Sequence, residues 1–152
     1  MDQSFRLLPV RFEFRALDRL RFPEGRAGNI VRGAFGASLR RLVCVPECES
    51  PKTCKRREVC PYFTVFEPRA PGAGPSGLAD RPRPFVLRVH HLNGAVLQPG
   101  QAFHLDVHLF QLKEPLLPLF ADSFRMMARE GLGPARGRAE LLGMSLLNAE
   151  GA

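Results

Sequence analysis

A chain of 152 residues, 45% of them hydrophobic, is long enough to bury one domain's core and too apolar for a disordered tail. Lys and Arg number 22 against 15 Asp and Glu, a net charge of +7 carried mostly by arginine. Guanidinium groups match phosphate and stack on bases, so this balance favours a nucleic-acid partner. An arginine-rich proteome encoded by a GC-rich genome would give the same excess.

The N-terminal stretch, Met1 to Phe14, has no uninterrupted apolar core of the kind a secretory signal needs. No apolar run approaches the roughly 20 residues that span a bilayer. The expectation is a cytoplasmic protein, with no membrane partner and with reduced thiols. Val10, Phe12, Phe14 and Ala16 alternate with Arg11, Glu13 and Arg15, which predicts a strand over 5–16 with one buried face. Pro23, Glu24 and Gly25 break the chain. A helix is predicted over 27–43, with Ile30, Val31, Ala34, Phe35, Leu39, Leu42 and Val43 on an apolar stripe. Arg32, Gly36 and Arg40 fall on another side. Gly28, Gly33 and Gly36 weaken this helix by propensity. Close packing onto a sheet, or approach of a phosphate, would each account for them.

All four cysteines follow within one stretch: Cys44, Cys48, Cys54 and Cys60. Pro46, Ser50 and Pro51 let the loop turn back and aim several sulfurs at one centre. Three readings compete: a metal site, two disulfides, or incidental thiols. A reduced compartment disfavours disulfides. For a metal, a tetrahedral four-thiolate zinc site comes first and an iron–sulfur cluster second, although the spacing is not that of paired C-x2-C knuckles. Lys52, Lys55, Arg56 and Arg57 lie in the same loop; they would offset thiolate charge and also form a basic tip.

Tyr62, Phe63, Val65 and Phe66 predict a short strand or an apolar plug under the loop. Residues 68–84, rich in Pro and Gly, form a surface loop. Phe85, Leu87 and Val89 alternate with Val86, Arg88 and His90, a second strand over 84–91. Asn93-Gly94 and Pro99-Gly100 mark turns. Phe103, Leu105, Val107 and Leu109 alternate with His104, Asp106 and His108, the clearest strand, over 102–111. Leu116, Leu119, Phe120, Phe124 and Met127 continue at helical spacing over 116–130. Pro115 and Pro118 sit in its first turn, and Gly131 stops it. A Gly/Arg turn, GLGPARGR, enters a last strand over 137–147.

The order predicts an α+β fold of ferredoxin-like type, βαββαβ: a four-stranded antiparallel sheet, first and third strands central, with two helices on one face. The whole chain, 1–152, is one such domain with a Cys-rich insertion over 44–67. RNA-recognition domains share this arrangement. No Ser–His–Asp order, P-loop or dinucleotide-binding glycine fingerprint is present. His104 and His108 stand about 13 Å apart on one strand, so one ion cannot take both. With Arg88 and His90 they make a polar sheet face that meets solvent, RNA or a second domain. The basic residues placed to meet phosphate are Arg32, Arg40 and Arg41 on the first helix, Lys52, Lys55, Arg56 and Arg57 on the loop, and Arg136 and Arg138 in the glycine turn.

Five segments in order carry a resemblance: GNIVRGAFGASLRRLVC, a Cys-rich loop ending CPYFTVFEP, RPRPFVLR, LQPGQAFHLDVHLF and REGLGPARGRAELLGM. Together they resemble the N-terminal half of the CRISPR-associated RAMP-superfamily endoribonucleases that process precursor CRISPR RNA, in the Cys-rich subgroup. The resemblance implies a prokaryotic protein, two tandem ferredoxin-like domains, binding of CRISPR repeat RNA, and metal-independent cleavage through 2′-OH attack. On that reading the second domain is absent here, and an ion at the cysteines is structural. The family often places a catalytic His on or just after the first helix. Residues 27–60 contain none, so no catalytic residue is assigned and enzymatic activity of this chain stays open. Two rivals remain: a non-catalytic RAMP backbone subunit that coats guide RNA beside other CRISPR effector subunits, and a zinc-stapled module that binds protein.

Overall fold

The computed structural model describes residues 7–44, 60–66, 84–110 and 117–148. In chain order the elements are β1 (Leu7–Ala16), β2 (Leu20–Arg21), α1 (Ala27–Val43), α2 (Pro61–Phe66), β3 (Phe85–Arg88), β4 (Val96–Leu97), β5 (Ala102–Phe110), α3 (Leu117–Glu130) and β6 (Ala139–Leu146). A 3₁₀ turn at His90–Leu92 follows β3. The main sheet has the order β3-β5-β1-β6, and its neighbours all pair antiparallel. With α1 and α3 this is the βαββαβ ferredoxin-like arrangement, and the first and third of its long strands are the central pair, as the sequence predicts.

The alternation seen in the sequence decides the two faces of the sheet. Val10, Phe12 and Phe14 on β1, and Phe103, Leu105, Val107 and Leu109 on β5, are buried on one side. Val31, Phe35 and Leu39 of α1 and Phe120, Phe124 and Met127 of α3 meet them there. Phenylalanine rings join the layers: Phe35 stacks on Phe124 at 4.7 Å, and Phe124 lies 4.6 Å from Phe12. Each fully buried side chain of this kind contributes about 1.5–3 kcal/mol by leaving water. The opposite sheet face carries Arg11, Glu13, Arg15, Arg88, His104, Asp106 and His108, all exposed or half-buried.

Four local features depart from the sequence reading. Tyr62–Phe66, expected as a strand or a plug, lies in the short helix α2, which opens with Pro61 at the position where a helix tolerates proline; Val65 is its fully buried anchor. The strand expected to run to His91 ends at Arg88; Val89 leads into the 3₁₀ turn at His90, which buries Leu92. A Cβ added to Gly28 or Gly33 would meet nothing within 4 Å, so neither serves close packing. A second, two-stranded sheet pairs β2 with β4, Leu20 opposite Leu97. Its strands are too short to show periodicity. The Asn93-Gly94 turn also serves α1, since the Asn93 side-chain oxygen accepts a hydrogen bond from the Ala27 N–H at 3.0 Å. Asn93 thus caps α1 from afar, because Arg26 at the helix start offers no capping side chain.

The Pro/Gly loop and most of the Cys-rich insertion, including Cys48, Cys54, Lys52, Lys55, Arg56 and Arg57, lie outside the described residues. Cys44 and Cys60 are described and half-buried. Cys44 caps the C-terminus of α1, its N–H bonded to the Arg40 carbonyl at 2.8 Å, and Cys60 immediately precedes α2, which packs on α1.

Candidate nucleic-acid interface

The Gly/Arg turn between α3 and β6 is a closed hairpin. Leu132 and Gly137 exchange backbone hydrogen bonds of 2.8 and 3.0 Å, and the Arg136 N–H donates to the Gly133 carbonyl at 3.1 Å. Pro134 occupies the second position of the turn over 133–136, where a fixed φ suits it. Leu132, fully buried, pins the hairpin to the core. Three glycines are required by close approach, Gly131 against the Arg136 carbonyl within the turn and two against the β2 segment. A Cβ on Gly137 would lie 2.6 Å from the Arg19 carbonyl oxygen, and one on Gly133 would run into the Arg21 carbonyl oxygen. Gly133 and Gly137 thus seat the hairpin on the backbone of β2 and of the residue before it.

That seating brings together arginines from distant parts of the sequence. Arg19 and Arg21 come from the β2 segment and Arg136 from the hairpin. All three are exposed, and none has a side-chain partner among the described residues. Arg136 adopts φ 51°, the left-handed region that a long side chain enters at a cost of about 1–3 kcal/mol. Arg138 is engaged differently. Its Nε donates to Asp18 Oδ2 at 2.9 Å, its Nη2 to Oδ1 at 3.3 Å, and its backbone N–H to Oδ2 at 3.0 Å. This clasp holds the Asp18 carboxyl below the usual carboxylate range through its hydrogen bonds. Arg138 therefore ties the hairpin to the β1–β2 connection rather than standing clear for a ligand.

On α1, Arg32 donates to the Asn29 side chain at 2.7 Å, Arg41 pairs with Glu130 of α3, and Arg40 is half-buried. Of the described arginines singled out from the sequence, Arg136 lies in the hairpin, Arg138 braces it, and Arg41 is tied to Glu130, the residue that directly precedes the Gly/Arg turn. Sequence reasoning misses Arg19 and Arg21. The signal that could have found them is the DRLRF stretch, whose arginines flank Leu20, the apolar residue that buries.

The polar sheet face forms a second group. Arg11 forks onto Asp106 with bonds of 2.9 and 3.0 Å. Burial pushes the Asp106 carboxyl up, but the Arg11 hydrogen bond and charges together hold it below its ordinary value. His104 sits 3.9 Å from Asp106, and the His91 ring stacks on it with centroids 4.4 Å apart and planes 18° from parallel. Burial, then the Arg11 charge, then His91 push the His104 imidazole below its ordinary pKa. Among the described residues, no group of three metal-ligating side chains converges.

A shallow groove of about 290 Å³ lies beside the N-terminus of α1, lined by Gly25, Asn29, Arg88 and His90 among others. Its capping partner, Asn93, already takes the first helical N–H. No helix among the described residues is long and apolar enough to cross a membrane.

Among solved structures, the fold is similar to a chain of the Csm3–Csm4 subcomplex of the type III-A CRISPR-Cas interference complex. The TM-score is 0.55 at 15% identity, over 93% of this chain and 78% of that one. At that identity the likeness concerns the fold alone. No curated protein matches the chain. The model of the family AF_1859_N, described as an N-terminal domain, matches residues 5–152, and the chain belongs to that family.

Proposed function

We propose that this domain is a RAMP-type, RNA-binding subunit of a CRISPR effector complex, which holds guide RNA against the Gly/Arg hairpin and does not cut it. The observation that carries this reading is the meeting of the hairpin with the β2 segment, which sets the chain around Arg136 against the backbone of Arg19 and Arg21, three exposed arginines with no side-chain partner among the described residues. Arg136 keeps a strained backbone there with its head group unspent. Strain retained beside an unpartnered charge suits a ligand contact. The fold likeness to the Csm3–Csm4 subcomplex supports the effector reading over the repeat-cleaving endoribonuclease expected from sequence. Other effector subunits and CRISPR RNA are the partners this reading requires.

The test is salt-dependent binding of a single-stranded CRISPR repeat RNA to the chain and to the variant Arg19→Ala/Arg21→Ala/Arg136→Gly. Glycine at 136 relieves the left-handed strain, so weakened binding cannot be ascribed to a damaged hairpin. The log–log slope of affinity against salt is expected to shrink by about 0.7 for each phosphate contact removed, about 2 in all. The RNA is expected to remain intact. An unchanged slope would remove these arginines from the RNA path, and cleavage at a defined position would restore the endoribonuclease reading.

For the cysteines we propose one structural zinc ion held by Cys44, Cys48, Cys54 and Cys60. Cys44 ends α1 and Cys60 precedes α2, two helices that pack on each other, which suits an ion that ties the loop to α1. Protein purified without metal-affinity resin is expected to carry one zinc per chain by elemental analysis. Four titratable thiols and neither zinc nor iron would exclude a metal centre.

A further inference from the structure

We infer that the stacked imidazoles of His91 and His104 form a platform for one unpaired nucleobase of single-stranded RNA, a reading that rests on the RNA-binding function proposed above. His91 projects from the 3₁₀ turn and His104 from β5. Their rings lie 4.4 Å apart at 18°, the geometry of a face-to-face stack. The His91 Nε2–H donates to the His104 carbonyl at 3.0 Å, so the exposed ring is fixed by a hydrogen bond as well as by the stack. That bond places a proton on Nε2 of His91, because a carbonyl oxygen can only accept. The ring of His90 stands edge-on to His91 at 6.1 Å. A flat ring already immobilised loses little freedom when a base lies on it.

The surroundings fit a nucleotide rather than a metal or a protein side chain. His104 is held toward its neutral form, so the stack offers a π surface and not a pair of repelling cations. The Arg11–Asp106 fork braces the adjoining position of β5, and Arg88, opposite Asp106 on β3, is exposed. Aromatic faces interleaved with arginines are how proteins hold single strands, the rings taking bases and the cations taking phosphates. The platform also lies at the same end of the sheet as the Gly/Arg hairpin. Arg15 pairs with Ala102 on one side and with Glu140, just past the hairpin, on the other, and His104 is two residues along from Ala102. The separation is two strands, roughly 10 Å across, and about 7 Å along β5. One strand of RNA can reach both.

The test uses the full chain and an oligo(A) RNA carrying a single 2-aminopurine, moved position by position. Binding of the unaltered protein is expected to quench the fluorescence at one position, as stacking does. His91→Ala should lose that quench and weaken binding by about 5- to 150-fold, the range of one lost base stack. His91→Phe, which keeps a flat ring, should retain the quench. Circular dichroism of each variant checks that it is folded. A quench that survives His91→Ala, or RNA binding by the unaltered protein with no quench at any position, would overturn the platform and leave RNA binding at the hairpin standing. Failure of the unaltered protein to bind RNA at all would overturn both.

Discussion

Replacing Phe124 by alanine is expected to cost about 3–5 kcal/mol of stability. Its ring is fully buried and lies within 4.6–6.5 Å of four others: Phe12 and Phe14 of the sheet, Phe35 of α1 and Phe120 of α3. It joins the sheet and both long helices. The loss has two parts, the transfer energy of the ring and the cavity left among side chains that cannot all collapse inward. For a domain of this size the melting temperature should fall by about 6–20 °C. Leu42→Ala supplies the comparison. Leu42 belongs to the apolar stripe read from the α1 sequence, yet it is 40% exposed, and its removal should shift stability by no more than about 0.5 kcal/mol. Thermal melts of the two variants decide whether the helix–sheet contact at Phe124 is the core of the fold; equal and small shifts would show that it is not.

The second large effect concerns the hairpin. Gly133→Ala places a methyl group against the Arg21 carbonyl oxygen and forces a left-handed φ of 79° on a residue that resists it. The obstacle is backbone, which cannot swing aside as a side chain would. A cost of about 2–3 kcal/mol is expected, and the hairpin should lift from β2, so RNA affinity falls with it. Gly33→Ala is the contrasting change. Gly33 lies within α1, is exposed, and has nothing within 4 Å of a would-be Cβ. Alanine there should stabilise by about 0.5–1 kcal/mol through helix propensity and leave RNA binding unchanged. Chemical denaturation of both variants measures the two signs. Stabilisation by Gly133→Ala would contradict the close packing of hairpin on strand.

The long elements are legible because burial imposes a period on them. β5 alternates without interruption from Phe103 to Leu109, and its register with β1 follows. The apolar stripe of α1 predicts that helix to its observed ends. What a period cannot reveal is set by contacts distant in sequence. Asn93 looks like a turn residue, and its second role as the cap of α1 depends on a fold that brings it to Ala27. The same holds for the arginines. Charge alone points to Arg136 and Arg138 equally, yet Asp18, 120 residues from Arg138, engages one and leaves the other. Arg19 and Arg21 become part of a site only because Gly133 and Gly137 allow the hairpin down onto them. His91 and His104 are each visible as polar positions, but nothing in the sequence shows that a 3₁₀ turn lays one ring on the other.

The most direct measurement is ultraviolet cross-linking of a single-stranded CRISPR repeat RNA to the full chain, followed by mass spectrometry of the cross-linked peptides. The account predicts adducts in the segment around Arg19 and Arg21 and in the hairpin containing Arg136, lost in the Arg19→Ala/Arg21→Ala/Arg136→Gly variant, with the RNA recovered uncut. Cross-links confined to other segments and unaffected by that variant would contradict it.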